Sequence, residues 1–88
     1  MSYTVQYKKS AQKKLAKFDP TVQNRIRTWI ETNLVGCENP RATGRALEGG
    51  LENLWRYRVG DYRIVAQIRD AEVVILIVKI GKRGDVYK

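Results

Sequence analysis

Arg56, Arg58 and Arg63 stand close together in the segment Leu54-Trp55-Arg56-Tyr57-Arg58-Val59-Gly60-Asp61-Tyr62-Arg63-Ile64-Val65. A guanidinium is planar, permanently charged and shaped for two-point contact with phosphate. Three of them on one surface would hold a nucleic-acid backbone, provided the local fold brings them together. Gly60-Asp61 between two alternating runs is the signal of a two-residue hairpin loop. With that loop, Val59 pairs with Tyr62, Arg58 with Arg63, Tyr57 with Ile64 and Arg56 with Val65. Strand side chains alternate faces, so Trp55, Tyr57, Val59, Tyr62 and Ile64 share one face and the three arginines share the other. Like charges directly opposed destabilise a sheet. Arg58 facing Arg63 therefore costs stability in the empty protein, and a bound anion would reverse the sign.

Other chemistries are excluded by what is missing. There is no histidine, which removes Ser-His-Asp triads, Cys-His pairs and HExxH zinc sites. One cysteine, Cys37, cannot form an internal disulfide and, with no histidine, argues against a transition-metal site. No cofactor is expected, and Gly49-Gly50 is too short for a phosphate-cradling glycine loop. The 88 residues fit one domain, 1–88, and 43% hydrophobic content suffices for a core. Seventeen Lys and Arg against nine Asp and Glu leave a net charge of +8, which favours an acidic partner. The longest apolar run, Val73 to Val78, is far below the ~20 residues of a membrane span, and the N-terminus lacks a signal-peptide core. A cytoplasmic location and no membrane partner are expected.

The remaining chain must position that hairpin. Thr4-Val5-Gln6-Tyr7 reads as a first strand. Ser10 is a candidate N-cap for a helix from Ala11 to about Phe18, with Lys13, Lys14 and Lys17 on its outer side. Asp19-Pro20 starts a second helix, with Asp19 as N-cap and Pro20 first in the helix. Val22, Ile26, Trp29, Ile30 and Leu34 follow at helical spacing, and Gly36 is the stop. Cys37 to Asn53 shows no sustained period. A loop of that length is functional or hides a short element, with Ala46 and Leu47 as candidate anchors. After the hairpin, Asp70-Ala71 turns the chain into Val73-Val74-Ile75-Leu76-Ile77-Val78, apolar on both faces and so expected centrally, covered on both sides. The fold class is α+β: an N-terminal strand and a helical hairpin packed on an antiparallel sheet of about four strands. Val22, Ile26, Trp29, Ile30, Tyr57, Ile64, Ile75 and Ile77 should form the core.

This order of elements resembles the RelE/ParE superfamily of toxins from type II toxin-antitoxin systems, more its RelE-like branch. The resemblance spans nearly the whole chain. It rests on Leu54 to Val65, on Val78-Lys79-Ile80-Gly81-Lys82-Arg83 followed by Asp85-Val86-Tyr87, and on Arg45-Ala46-Leu47-Glu48-Gly49. It implies a ribosome-dependent endoribonuclease, metal-independent, that cuts mRNA in the A site by attack of a 2′-hydroxyl on the adjacent phosphate. It also implies a cognate antitoxin, expected to be acidic with an amphipathic helix, and contact with the ribosome's rRNA. Carried over by position, Arg56 and Arg58 stand where the family has two lysines. Arg63 matches the arginine on the scissile phosphate, Arg83 the one proposed to protonate the leaving oxygen, and Tyr87 the aromatic that orients the nucleotide. Arg58, Arg63, Arg83 and Tyr87 are thus the catalytic candidates; Arg45, Arg56, Lys79 and Lys82 are the RNA-binding ones.

Two departures from the family pattern bear on mechanism. Arg58 replaces a lysine proposed as general base, and arginine keeps its proton where a lysine can be tuned to lose it. The segment from Arg83 to Tyr87 is also shorter than in the best-known members. Two alternatives stay open: a ParE-like inhibitor of DNA gyrase, which would not need the arginines, and a catalytically weak nucleic-acid or protein binder.

Overall fold

The computed structural model describes residues 2–47 and 54–82. The chain runs β1 (Thr4–Tyr7), α1 (Lys9–Ala16), α2 (Pro20–Asn33), β2 (Arg45–Ala46), β3 (Leu54–Val59), β4 (Tyr62–Arg69), a 3-10 turn (Asp70–Glu72) and β5 (Val74–Lys82). The strands form one five-stranded sheet in the order β1-β5-β4-β3-β2. The α+β architecture is the expected one, with two additions. β1 joins in parallel to β5, and the irregular stretch before the hairpin hides β2, which pairs antiparallel with β3.

Local signals explain most of the helical half. Asp19 caps α2 with its carboxylate accepting from the backbone N–H groups of Thr21 and Val22 at 3.0 and 3.2 Å, and Pro20 is the first helical residue. The chain leaves α2 at Leu34, and Gly36 takes the left-handed conformation, φ 77°. α1 departs from expectation. It begins at Lys9, its N-cap position is Lys8 rather than Ser10, and no side chain caps it. The cause is tertiary: the Lys8 N–H donates to the Ile77 carbonyl at 2.8 Å, so the parallel pairing with β5 holds Lys8 extended until the helix starts. α1 also stops at Ala16, leaving Phe18 outside it to pack on Tyr62 with ring centroids 5.3 Å apart.

Leu15, Ile26, Ile30, Leu34, Tyr57, Ile64, Ile75 and Ile77 make the centre of the core, all essentially without exposure. Val22 and Trp29 pack against it half-buried. β5 reaches this core by breaking its own alternation. Its register against β4 passes from Val65↔Lys79 to Ala66↔Ile77, so Val78 is an extra residue in a bulge. The bulge resets the phase: Ile75, Ile77 and Ile80 are all buried while Lys79 stays exposed. β5 lies inside the sheet as expected, between β1 and β4, but only its helix side is covered. Val74, Leu76 and Val78 on the other side are half-buried. Val73 is not part of the strand; it sits in the turn with φ 56°.

Candidate nucleic-acid interface

The β3–β4 hairpin has the register that its sequence implies: Val59↔Tyr62, Arg58↔Arg63, Tyr57↔Ile64 and Arg56↔Val65. Gly60 permits the turn by adopting φ 60°. Tyr57, Val59 and Ile64 are buried under the helices, so Arg56, Arg58 and Arg63 occupy the opposite, open face. β2 adds a fourth cation there. Its register sets Arg45 directly across from Arg56, so two opposed arginine pairs lie side by side on three strands. Together with Gly44, these four arginines line a hollow of about 400 Å³.

Neutral carbonyl oxygens hold the arginines of the inner pair. Arg63, only 8% exposed, donates through one terminal nitrogen to the carbonyls of Gly60 and Tyr62, both at 3.2 Å. Arg58 donates through Nε to the same Gly60 carbonyl at 3.4 Å. No carboxylate pairs with any of the four among the described residues, where the ion pairs are Arg41–Asp70 and Arg69–Glu72. Among the described residues the positive charge of the hollow has no ion-pair partner, part of it is ordered in advance, and donor capacity is left for an anion.

The segment bearing Arg45 is clamped from the hairpin side. Trp55 donates its indole N–H to the Thr43 carbonyl at 2.6 Å, and the Tyr57 hydroxyl donates to the Pro40 carbonyl. Gly44, at φ 79°, passes so close to β3 that a methyl group would strike the Arg56 carbonyl oxygen and come within 2.8 Å of Trp55 Nε1. The Leu47 N–H donates to the Leu54 carbonyl at 3.2 Å. Leu47 is half-buried, but Ala46 is exposed and anchors nothing through its side chain. Farther along, Arg41 grips Asp70 through both terminal nitrogens at 3.0 and 2.9 Å, and the Tyr3 hydroxyl donates to Asp70 at 2.7 Å. The Arg41 hydrogen bonds, reinforced by that of Tyr3, hold the Asp70 carboxyl at about 2, well below the ordinary carboxylate range.

The other candidates divide. Lys79 lies across from Val65, on the arginine face of the neighbouring strand, and is exposed. Lys82 lies across from Tyr62, which puts it on the helix side and away from the hollow. Arg83 and Tyr87 fall outside the described residues. Tyr57 is fully buried, with burial pushing its hydroxyl well above the ordinary range, so it is core and not a stacking platform. Burial also raises the Cys37 thiol, in keeping with a packing role. One cation escaped the reading by periodicity: Arg25 of α2 lies against the Gly60 turn. Its helical phase marks it only as solvent-facing.

The model of the ParE toxin family of type II toxin-antitoxin systems (parDE) matches residues 5–87. The chain belongs to this toxin family. Within the wider RelE/ParE superfamily its likeness is to the RelE-like branch. Toxin RelG of Mycobacterium tuberculosis is 26% identical over 88 residues, covering 100% of this chain and 99% of that protein. The toxin of the RelBE2 toxin-antitoxin complex from the same organism superposes with a TM-score of 0.83 at 25% identity, over 97% of this chain and 95% of the other. RelE in the intact Escherichia coli RelBE complex gives 0.76 at 25% identity, over 92% and 96%. The chain is a RelE-like toxin of the type II toxin-antitoxin class.

Proposed function

We propose that this toxin is a ribosome-dependent, metal-independent endoribonuclease that cuts mRNA in the A site and so stops translation in the cytoplasm. The observation that carries the reading is the hollow of Arg45, Arg56, Arg58 and Arg63, two opposed pairs with no carboxylate ion-paired to them among the described residues. A purely structural sheet face would not retain such repulsion.

In the proposed reaction the ribose 2′-oxygen attacks its own 3′-phosphate in line with the departing 5′-oxygen. A P–O bond forms to the 2′-oxygen, whose proton passes to solvent, as the P–O5′ bond breaks and the leaving oxygen takes up a proton, giving a cyclic phosphate and a 5′-hydroxyl. Arg63, held by two carbonyls, would bind the scissile phosphate, and Arg58 would neutralise charge on the pentavalent phosphorus. Arg83 would protonate the leaving oxygen and Tyr87 would orient the nucleotide. Arg45, Arg56 and Lys79 would hold the flanking backbone. Orientation can remove ~7–11 kcal/mol of a barrier, and each preorganised donor ~3–4 kcal/mol. Proton transfer typically adds ~10²–10⁴-fold, so an enzyme with Arg58 in place of a lysine would rely chiefly on positioning and charge. The need for a 2′-hydroxyl would make it blind to DNA.

A cognate antitoxin, acidic and with an amphipathic helix, is the proposed second partner. The solved complexes of RelE-like toxins with their antitoxins support it, as does the net charge of +8. The ParE description of the matching family favours a second reading, inhibition of DNA gyrase. Induced expression with mapping of mRNA 5′ ends separates the two. Codon-phased cuts in translated frames support the nuclease. DNA double-strand damage with intact mRNA supports the gyrase inhibitor.

A further inference from the structure

We infer that Arg25 is a further phosphate-binding residue, carrying the path of single-stranded RNA around the hairpin tip from the sheet face onto α2. The inference rests on the RNA-cleaving reading above. Its starting point is Gly60. A methyl group on Gly60 would lie 2.6 Å from a terminal nitrogen of Arg25 and 2.9 Å from its central carbon, so the guanidinium lies directly against the turn. The carbonyl of the same glycine accepts from both Arg58 and Arg63. Three guanidiniums from three elements, α2, β3 and β4, therefore converge on one residue.

No carboxylate among the described residues forms an ion pair with any of the three. Arg25 forms no ion pair and no side-chain hydrogen bond among the described residues, and Asp61, its neighbour in the turn, does not pair with it. The guanidinium itself rests against Gly60 and has no hydrogen-bond partner among the described residues, which leaves its N–H donors for an anion. Arg25 is exposed, so an extended strand leaving the hollow past Arg58 and Arg63 would meet it next. Arg27, two residues on, is exposed and lies toward Tyr7 of β1, whose hydroxyl is raised by burial and only partly opposed by the Arg27 charge. β1 is the edge strand beyond β5 and not part of the hairpin, so Arg27 is an internal control for diffuse charge.

The test measures binding of the full chain to a fluorescent single-stranded oligoribonucleotide across a salt series. Arg25→Ala is expected to flatten the slope of log K against log salt by about 0.7, and to weaken binding about 8-fold at about 50 mM salt. Arg25→Lys should keep the slope, and Arg27→Ala should leave it unchanged. If Arg63→Ala flattens the slope and Arg25→Ala does not, the Arg25 site is overturned while the RNA-cleaving reading stands. If Arg27→Ala flattens it as much as Arg25→Ala, the effect is general charge and the site is likewise overturned. An unaltered chain that binds no free RNA overturns the Arg25 site, while the ribosome-dependent nuclease is judged separately by the mapping of mRNA 5′ ends.

Discussion

Arg63 is the one charged side chain buried among the described residues, 8% exposed and tied to two backbone carbonyls. A guanidinium ordered before substrate arrives spends little entropy on binding, so its removal should be felt mainly in the transition state. Arg63→Ala is expected to lower mRNA cleavage by about 10²–10³-fold, with circular dichroism confirming a retained fold. Arg83→Ala should have the next largest effect. Arg58→Lys should be tolerated or raise activity, because lysine keeps the charge and can lose a proton at a tuned pKa. If Arg63→Ala and Arg83→Ala both kept full toxicity, gyrase inhibition would become the leading reading. Asp70 supplies a separate prediction for stability. Its folded pKa, about 2, lies below the ordinary 3.8, chiefly through Arg41. Its contribution is therefore fully present above about pH 4 and is lost as the pH falls toward 2. Asp70→Asn should melt slightly below the unaltered protein at neutral pH, and the two melting curves should converge near pH 2. The difference should shrink in high salt, because the pair is exposed.

At the scale of elements, the site depends on how β2 is pressed onto β3. β2 has two residues, Arg45 and Ala46, too few to hold a strand by ladder bonds alone. Trp55 and Tyr57 secure the approach to it through the carbonyls of Thr43 and Pro40, and Gly44 allows the close passage. Gly44→Ala forces a side chain into the left-handed region and against the Arg56 carbonyl. It should cost about 1–3 kcal/mol in chemical denaturation. Cleavage should fall as well, because Arg45 would be displaced from Arg56. A Gly44→Ala protein with unchanged stability would show that the β2 contact contributes nothing to the fold. The bulge at Val78 serves a second purpose at this scale. By resetting the phase of β5 it keeps Ile80 in the core and turns Lys79 outward beside the arginine face.

For the whole molecule, a charge of +8 on 88 residues includes two arginine pairs that oppose one another. A polyanion should relieve that repulsion. Inorganic polyphosphate at about 100 times its Kd should stabilise the fold by about 2.7 kcal/mol, read as a rise in melting temperature that Arg58→Ala reduces. Association with the proposed acidic antitoxin should slow as salt rises; an association rate indifferent to salt would remove charge steering from the account. The amino-acid sequence by itself determined the hairpin register, the Asp19-Pro20 start of α2 and the separation of Arg56, Arg58 and Arg63 from the apolar face. Each follows from neighbours within a few residues: a glycine that allows a positive φ, a cap, or an alternation of period two. Only the tertiary structure decided the parallel seat of β1, the start of α1 at Lys9, the bulge at Val78, the pairing of Arg45 with Arg56 and the approach of Arg25 to Gly60. These depend on contacts between residues distant along the chain, where packing and backbone pairing override local preference. The arginine chemistry was therefore legible in the residues, whereas the hollow that gathers it exists only after β2, β3 and β4 have come together.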